Sequence, residues 1–170
     1  MKVFVLGGDG FCGWPCAVNL ADKGHDVFIV DNLSRRKIDI DLEVESLTPI
    51  TSIGERIKTW SEIGGKPIQF IHLDLASEYQ KLLDLLIEEK PDSIIHFAEQ
   101  RAAPYSMKNN NTRRYTVNNN LNVTHNILNS IVDIELVKAG YANGAAEGRP
   151  LTNEEKQAIN KNEYIKIVDD

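Results

Sequence analysis

Met1-Lys2-Val3-Phe4-Val5-Leu6-Gly7-Gly8-Asp9-Gly10-Phe11-Cys12-Gly13-Trp14 is the stretch on which the reading of this chain turns. Val3–Leu6 is a short apolar run, as expected of a parallel strand buried on both faces. Three glycines follow at GxxGxxG spacing, Gly7, Gly10 and Gly13, and Trp14–Lys23 then reads as a helix that stops at Gly24. Gly7 lets the chain turn sharply off the strand, Gly10 lets a pyrophosphate approach the backbone, and Gly13 lets the helix pack close to the sheet. The free N–H groups and the dipole of the helix start favour negative phosphates. Pro15 in the first turn costs little, because its nitrogen has no intrahelical partner to lose.

Working outward, Asp26–Val30 reads as the second strand, and Asp31 closes it eighteen residues past Gly13. That is near the spacing of the carboxylate that bonds an adenosine ribose in dinucleotide-binding βαβ units. A carboxylate there accepts both ribose hydroxyls and repels a 2′-phosphate, which favours NAD over NADP. Arg35 and Arg36 pull the other way, since arginine holds a 2′-phosphate. Further strands are expected at Ile68–His72, Ser93–Phe97 and Glu135–Val137. Helices are expected at Ser52–Ile63, ending at Gly64-Gly65, at Glu78–Lys90, capped by Ser77 and followed by Pro91, and at Asn111–Val132. This alternation predicts an α/β fold, a Rossmann-type doubly wound parallel sheet. The domain is placed at residues 1–140. Residues 141–170 are read as a polar tail, with an exposed helix at Thr152–Asn162 and a strand at Tyr164–Val168. With few apolar residues to offset its ordering, the tail is expected to be the least protected part of the chain.

Composition narrows the function. A net charge of −6 argues against a nucleic-acid footprint or attraction to anionic membranes. No run of eighteen apolar residues exists to span a bilayer. The first apolar run is too short for a signal peptide and ends in the glycine turn. The two cysteines, Cys12 and Cys16, sit four apart. They suggest no disulfide framework and fit a reducing, cytoplasmic setting. No second Cys/His pair stands at ligand spacing, so no metal site is expected.

Three stretches carry more than the generic fold: Gly7–Trp14, Val30-Asp31-Asn32-Leu33-Ser34-Arg35-Arg36 with Glu45–Ile50, and His96-Phe97-Ala98-Glu99-Gln100-Arg101-Ala102-Ala103-Pro104-Tyr105-Ser106-Met107. Together they resemble the UDP-sulfoquinovose synthases, extended short-chain dehydrogenase/reductases beside the sugar-nucleotide epimerases. The resemblance covers roughly Met1 to Lys138, and its Glu-Gln-Arg…Pro-Tyr-Ser-Met stretch is the specific part. It implies NAD as a tightly held cofactor and UDP-glucose and sulfite as substrates, with oxidation at C4 of the sugar enabling replacement of the C6 hydroxyl by sulfite. Carried over by position, Phe11 and Cys12 follow the pyrophosphate turn, and Asp31, Asn32, Leu33, Ser34 and Arg35 surround the adenosine. Asp74, beside Leu75, bonds the adenine amine. Phe97 and Ala98 line the cofactor, Arg101 sits between cofactor and sugar nucleotide, and Asn119 bonds the cofactor from the long helix. Plainer roles stay open: Asp74 capping a turn, Arg101 and Asn119 as solvated surface residues, and His96 packing in its strand.

The superfamily's catalytic tyrosine, with a lysine four residues on, has no counterpart here. Four residues after Tyr79, Tyr105, Tyr115, Tyr141 and Tyr164 stand Leu83, Asn109, Asn119, Ala145 and Val168. The family's Gly-Thr-Met turn is also missing, since Gly140 is followed by Tyr141. Members of the family are about twice this length. No catalytic residue is therefore assigned, and two readings remain. One is the cofactor half of a synthase-like enzyme in a shortened, frame-shifted or engineered chain. The other is a non-catalytic NAD-binding module. The family's homodimer contact, made by long helices, is expected to be incomplete.

Overall fold

The computed structural model describes residues 1–101 and 103–138. Four strands, β1 (Lys2–Leu6), β2 (Asp26–Asp31), β3 (Ile68–His72) and β4 (Ser93–His96), form one parallel sheet in the order β3-β2-β1-β4. Val5 lies beside Ile29 on one side and Ile95 on the other, and Phe4 beside Phe28 and Ile94. Both faces of β1 and β2 are buried, which is why these strands read as continuous apolar runs rather than alternating ones. The expected α/β doubly wound sheet is present.

Among the described residues, five helices connect and follow the strands: α1 (Gly13–Asp22), α2 (Ser34–Asp41), α3 (Ile53–Glu62), α4 (Tyr79–Glu89) and α5 (Asn110–Lys138), with a short 3-10 turn at Tyr105–Met107. Helix α1 buries only small residues, Gly13, Ala17 and Ala21, at helical spacing. Its backbone therefore sits close over Val3, Val5, Val27 and Ile29, with Ile53 and Ile68 completing that half of the core. On the other face Phe4 and Phe28 stack at 5.0 Å between ring centres. Gly24 (φ +86°) and Gly64 (φ +89°) end α1 and α3 in the left-handed region.

Three expectations need correction. Glu135–Val137 is not a strand but the last turn of α5. Between Asn109 and Gly140 no glycine or proline interrupts the chain, so a helix once nucleated propagates through β-branched residues. Ser77 does not cap α4: its N–H bonds Asp74 O, the cap position belongs to Glu78, and no side chain caps that end. Helix α2 was not expected at all. It buries a single residue, Ile38, and starts from Leu33 in the left-handed region (φ +57°), so it offers neither an apolar stripe nor a cap to read.

Residue contacts divide the chain into two units, Met1–Ile127 and Leu128–Asp170. The sheet and the cleft below lie in the first. Of the second, the described part is the end of α5. The expected boundary at 140/141, the helix at Thr152–Asn162 and the strand at Tyr164–Val168 lie outside the described residues. Among the described residues no helix is long and apolar enough to cross a membrane.

Candidate functional site

Strand order reverses at β1: the chain runs through β2 and β3 on one side and returns to β4 on the other. In such sheets ligands bind outside the carboxyl ends of the strands at the switch point. A cleft lies there. Gly7 and Gly10 line it from the turn after β1, and Asp31, Asn32, Ser34 and Arg35 from the end of β2 and start of α2. Leu73, Asp74 and Leu75 follow β3, Phe97, Ala98, Glu99 and Gln100 follow β4, and Asn119 and Val123 come from α5.

The three spaced glycines are not equivalent. Gly7 (φ +77°) has its N–H on Val30 O at 2.8 Å, and a Cβ there would stand 2.5 Å from the Phe97 carbonyl carbon. A Cβ on Gly13 would stand 2.2 Å from Gly7 O. Both are demanded by the fold. A Cβ on Gly10 would meet only Gly7 O, at 3.1 Å. The space above Gly10 is thus an open cradle that a side chain would fill. The cradle faces the start of α1, whose N-cap Cys12 makes no side-chain cap bond and whose first turn carries no acid. Those features suit a diphosphate, so the residues present fit a dinucleotide.

Asp31 sits at the rim with both oxygens partly engaged. Oδ2 accepts from Asp9 N–H at 2.9 Å and Oδ1 from Leu33 N–H at 2.7 Å, so acceptor capacity remains toward the cleft. Burial raises its pKa above the ordinary 3.8, while these two N–H groups work to lower it. Asn32 makes the turn into α2 by accepting from Ser34 N–H at 3.0 Å. Asp74 both lines the cleft and holds a turn, its Oδ1 accepting from Ala76 N–H at 3.0 Å.

The remaining expected residues fall elsewhere. Phe11 is exposed and borders a neighbouring hollow with Trp14 and Pro15. Cys12 is exposed and Cys16 half-buried, and both are free thiols. Leu33 packs against the core. Arg101 does not reach the cleft: its Nη2 donates to Asp39 Oδ1 at 3.0 Å, and it lines a separate hollow with Pro104.

Sequence reasoning missed the residues that brace the site. Asp9, inside the glycine turn, is buried and paired with two arginines. Arg36 Nε and Nη2 donate to its two oxygens at 2.8 and 2.9 Å, and Arg56 Nη2 donates to Oδ1. The Arg56 guanidinium also lies 4.5 Å from the centre of the Trp14 ring. The Asp9 carboxylate raises the Arg36 pKa above the usual arginine value, whereas burial lowers that of Arg56 against the pull of Asp9. One carboxylate thus ties α2 and α3 to the turn, and breaking such a buried pair from one side typically costs about 3–5 kcal/mol. On the opposite wall Gln100 N–H donates to Asn120 Oδ1 at 2.8 Å, and Asn120 Nδ2 returns a bond to Gln100 O at 2.9 Å. The asparagine-rich stretch of α5 therefore fixes the segment after β4. Ala98 N–H donates to His96 Nδ1 at 3.2 Å, and His96 Nε2 lies 3.3 Å from Glu99 Oε1.

A doubly wound parallel sheet with a glycine turn at its switch point and an acid closing β2 defines a nucleotide-binding α/β protein. The chain belongs to the NAD dependent epimerase/dehydratase family, which it matches over residues 3–162. Within that family it is 43% identical over 143 residues to the chloroplastic UDP-sulfoquinovose synthase of Spinacia oleracea, a match covering 82% of this chain and 30% of that protein. It is 38% identical over 135 residues to the UDP-sulfoquinovose synthase of Sulfolobus acidocaldarius, covering 79% and 34%. The chain thus spans about a third of the length of these two relatives. Its fold is similar to that of the UDP-glucose 4-epimerase of Bifidobacterium longum solved with NAD+ and UDP, with a TM-score of 0.61 at 24% identity over 79% of this chain and 34% of that one.

Proposed function

We propose that this chain is an NAD-binding unit of a UDP-sulfoquinovose synthase-like enzyme. The observation that carries this reading is the cleft at the switch point. It gathers Gly7, Gly10, Asp31, Asn32, Ser34, Arg35, Asp74, Leu75, Phe97, Ala98 and Asn119, positions named from the sequence for one cofactor. In this reading the cradle over Gly10 and the N–H groups of the α1 start hold the diphosphate, and the free lone pairs of Asp31 accept the adenosine ribose hydroxyls. Asp74 faces the adenine, and Phe97, Ala98 and Asn119 wall the far end. Bound NAD supplies reversible oxidation of a sugar carbon; the chain's own residues bind and orient it. UDP-glucose and sulfite are the substrates implied by the resemblance to the relatives above, and a reducing, cytoplasmic setting, with a homodimer contact that is incomplete in this chain, completes the proposal.

A second reading, a non-catalytic NAD module, is favoured by one feature: no tyrosine in the chain has a lysine four residues on. Titration calorimetry with NAD+ tests what both share. Saturable binding that Asp31→Asn weakens supports the cofactor site. No binding to the wild-type chain would falsify it. Product analysis, treated in the Discussion, separates the two.

A further inference from the structure

We infer that Asp9 sets the choice between dinucleotides by holding Arg36 away from the place that a ribose 2′-phosphate would take. This rests on the NAD reading above and extends it from Asp31 to a residue inside the glycine turn.

Arg36 lies in the first turn of α2, five residues past Asp31, where an arginine is suited to grip a 2′-phosphate. A phosphate takes a guanidinium best through two parallel charge-assisted bonds. In Arg36 that edge is already taken, by the two Asp9 oxygens at 2.8 and 2.9 Å. The loop before α3 takes two more donors: Nη1 bonds Ile50 O at 3.2 Å and Nη2 bonds Thr51 O at 3.1 Å. Four of the five N–H donors are committed. Arg35, not Arg36, lines the cleft.

Asp9 is well placed for this task. Its side chain is only 3% exposed, so water has little access to the carboxylate, while that of Arg36 is 32% exposed. Its backbone N–H bonds Asp31 Oδ2 at 2.9 Å. One residue therefore orients the carboxylate that accepts ribose hydroxyls and withdraws the cation that would accept a phosphate. Without the Asp9 carboxylate, Nε and one Nη2 N–H of Arg36 lose their partners, while Nη1 and Nη2 keep Ile50 O and Thr51 O. Arg35 is tied separately, by a 3.6 Å contact to Asp39, and stays constant in the test.

The experiment measures NAD+ and NADP+ affinity by calorimetry on the full chain, for wild type, Asp9→Ala, Arg36→Met and the double variant, with folding checked by circular dichroism. Wild type is expected to prefer NAD+. Asp9→Ala should move the affinity ratio toward NADP+ by about tenfold or more, the scale of one added charge-assisted contact, and adding Arg36→Met should reverse the shift. Arg36→Met alone should leave the ratio unchanged, because a withheld arginine contributes nothing to it. A folded Asp9→Ala with the wild-type ratio overturns the inference. So does an Arg36→Met that selectively weakens NADP+, a result readable even if Asp9→Ala does not fold. Wild type that binds neither dinucleotide, or prefers NADP+, overturns the NAD reading as well.

Discussion

At the scale of single residues, Gly10 and Gly13 make a contrast that separates binding from folding. A side chain at Gly10 meets one carbonyl oxygen at 3.1 Å, which a small shift relieves, while one at Gly13 is driven to 2.2 Å from backbone. Gly10→Val is therefore expected to fold and to lose NAD+ binding. Gly13→Ala is expected to lose on the order of 1–3 kcal/mol or more, as overpacking of a tight contact does. Urea denaturation beside calorimetry distinguishes the two, and a Gly10→Val chain with wild-type affinity would remove the turn from the site. Asp31 adds a pH dependence. Because burial raises its folded pKa above 3.8, the folded chain holds this proton at a pH where the unfolded chain has released it. Between 3.8 and the raised value, Asp31 alone makes the fold less stable as pH rises. Binding runs the opposite way, since the ionised carboxylate accepts the ribose hydroxyls. NAD+ affinity should fall as pH is lowered toward the raised Asp31 range, with a proton released on binding there. Asp31→Asn should bind more weakly and lose that dependence. A flat wild-type profile would exclude an ionised Asp31 from the contact.

At the scale of elements, legibility followed local signals. Helix α3 was read from the sequence with Ser52 at its start, and the structure gives that serine a full capping box. Ser52 Oγ accepts from Glu55 N–H at 3.2 Å, and Glu55 Oε2 accepts from Ser52 N–H at 3.1 Å. Ser52→Ala should lower stability by about 1 kcal/mol, seen as a lower urea midpoint with unchanged slope. An unchanged midpoint would mean that α3 is held by Ile53, Ile57 and Trp60 alone. The strands were legible as short apolar runs, and α1 as a helical pattern set between the glycine turn and Gly24. Helix α2 escaped because its stability is tertiary. It comes from Ile38 and from a pair that no period reveals, Asp9–Arg36, which spans 27 residues. The Glu135–Val137 error has the converse cause, since β-branched residues suit a strand and yield when a long helix runs into them. Within the site, Gly7, Gly10 and Asp31 carried motif spacing, whereas Asn32, Ser34, Arg35, Asp74, Leu75, Phe97, Ala98 and Asn119 were placed by resemblance and line the cleft, and Leu73, Glu99, Gln100 and Val123 carried no signal of a site role. Arg101 was also placed by resemblance, and its side chain lies with Asp39 instead.

At the scale of the whole molecule, a chain that spans about a third of its synthase relatives has the switch-point cleft and no assigned base. Losing a positioned general base typically slows a reaction about 10²–10⁴-fold. Incubated with UDP-glucose, sulfite and NAD+, the pure chain is expected to give no UDP-sulfoquinovose detectable by mass spectrometry at ordinary enzymatic rates. Product at such rates would sink the non-catalytic reading, and Tyr141→Phe would then test that residue as a substitute base. The chain has two tryptophans. Trp14 directly follows Gly13, borders the hollow beside Gly10 and lies against Arg56. Trp60 has its indole N–H tied to Lys66 O at 2.8 Å and shares a hollow with Trp14 and Pro15, but lines neither the cleft nor the hollow that Gly10 borders. The phosphate turn thus carries its own fluorophore. A dinucleotide settling over Gly10 should change the emission of Trp14 and leave that of Trp60 alone, so that Trp14→Phe silences the optical signal while calorimetry still registers the ligand.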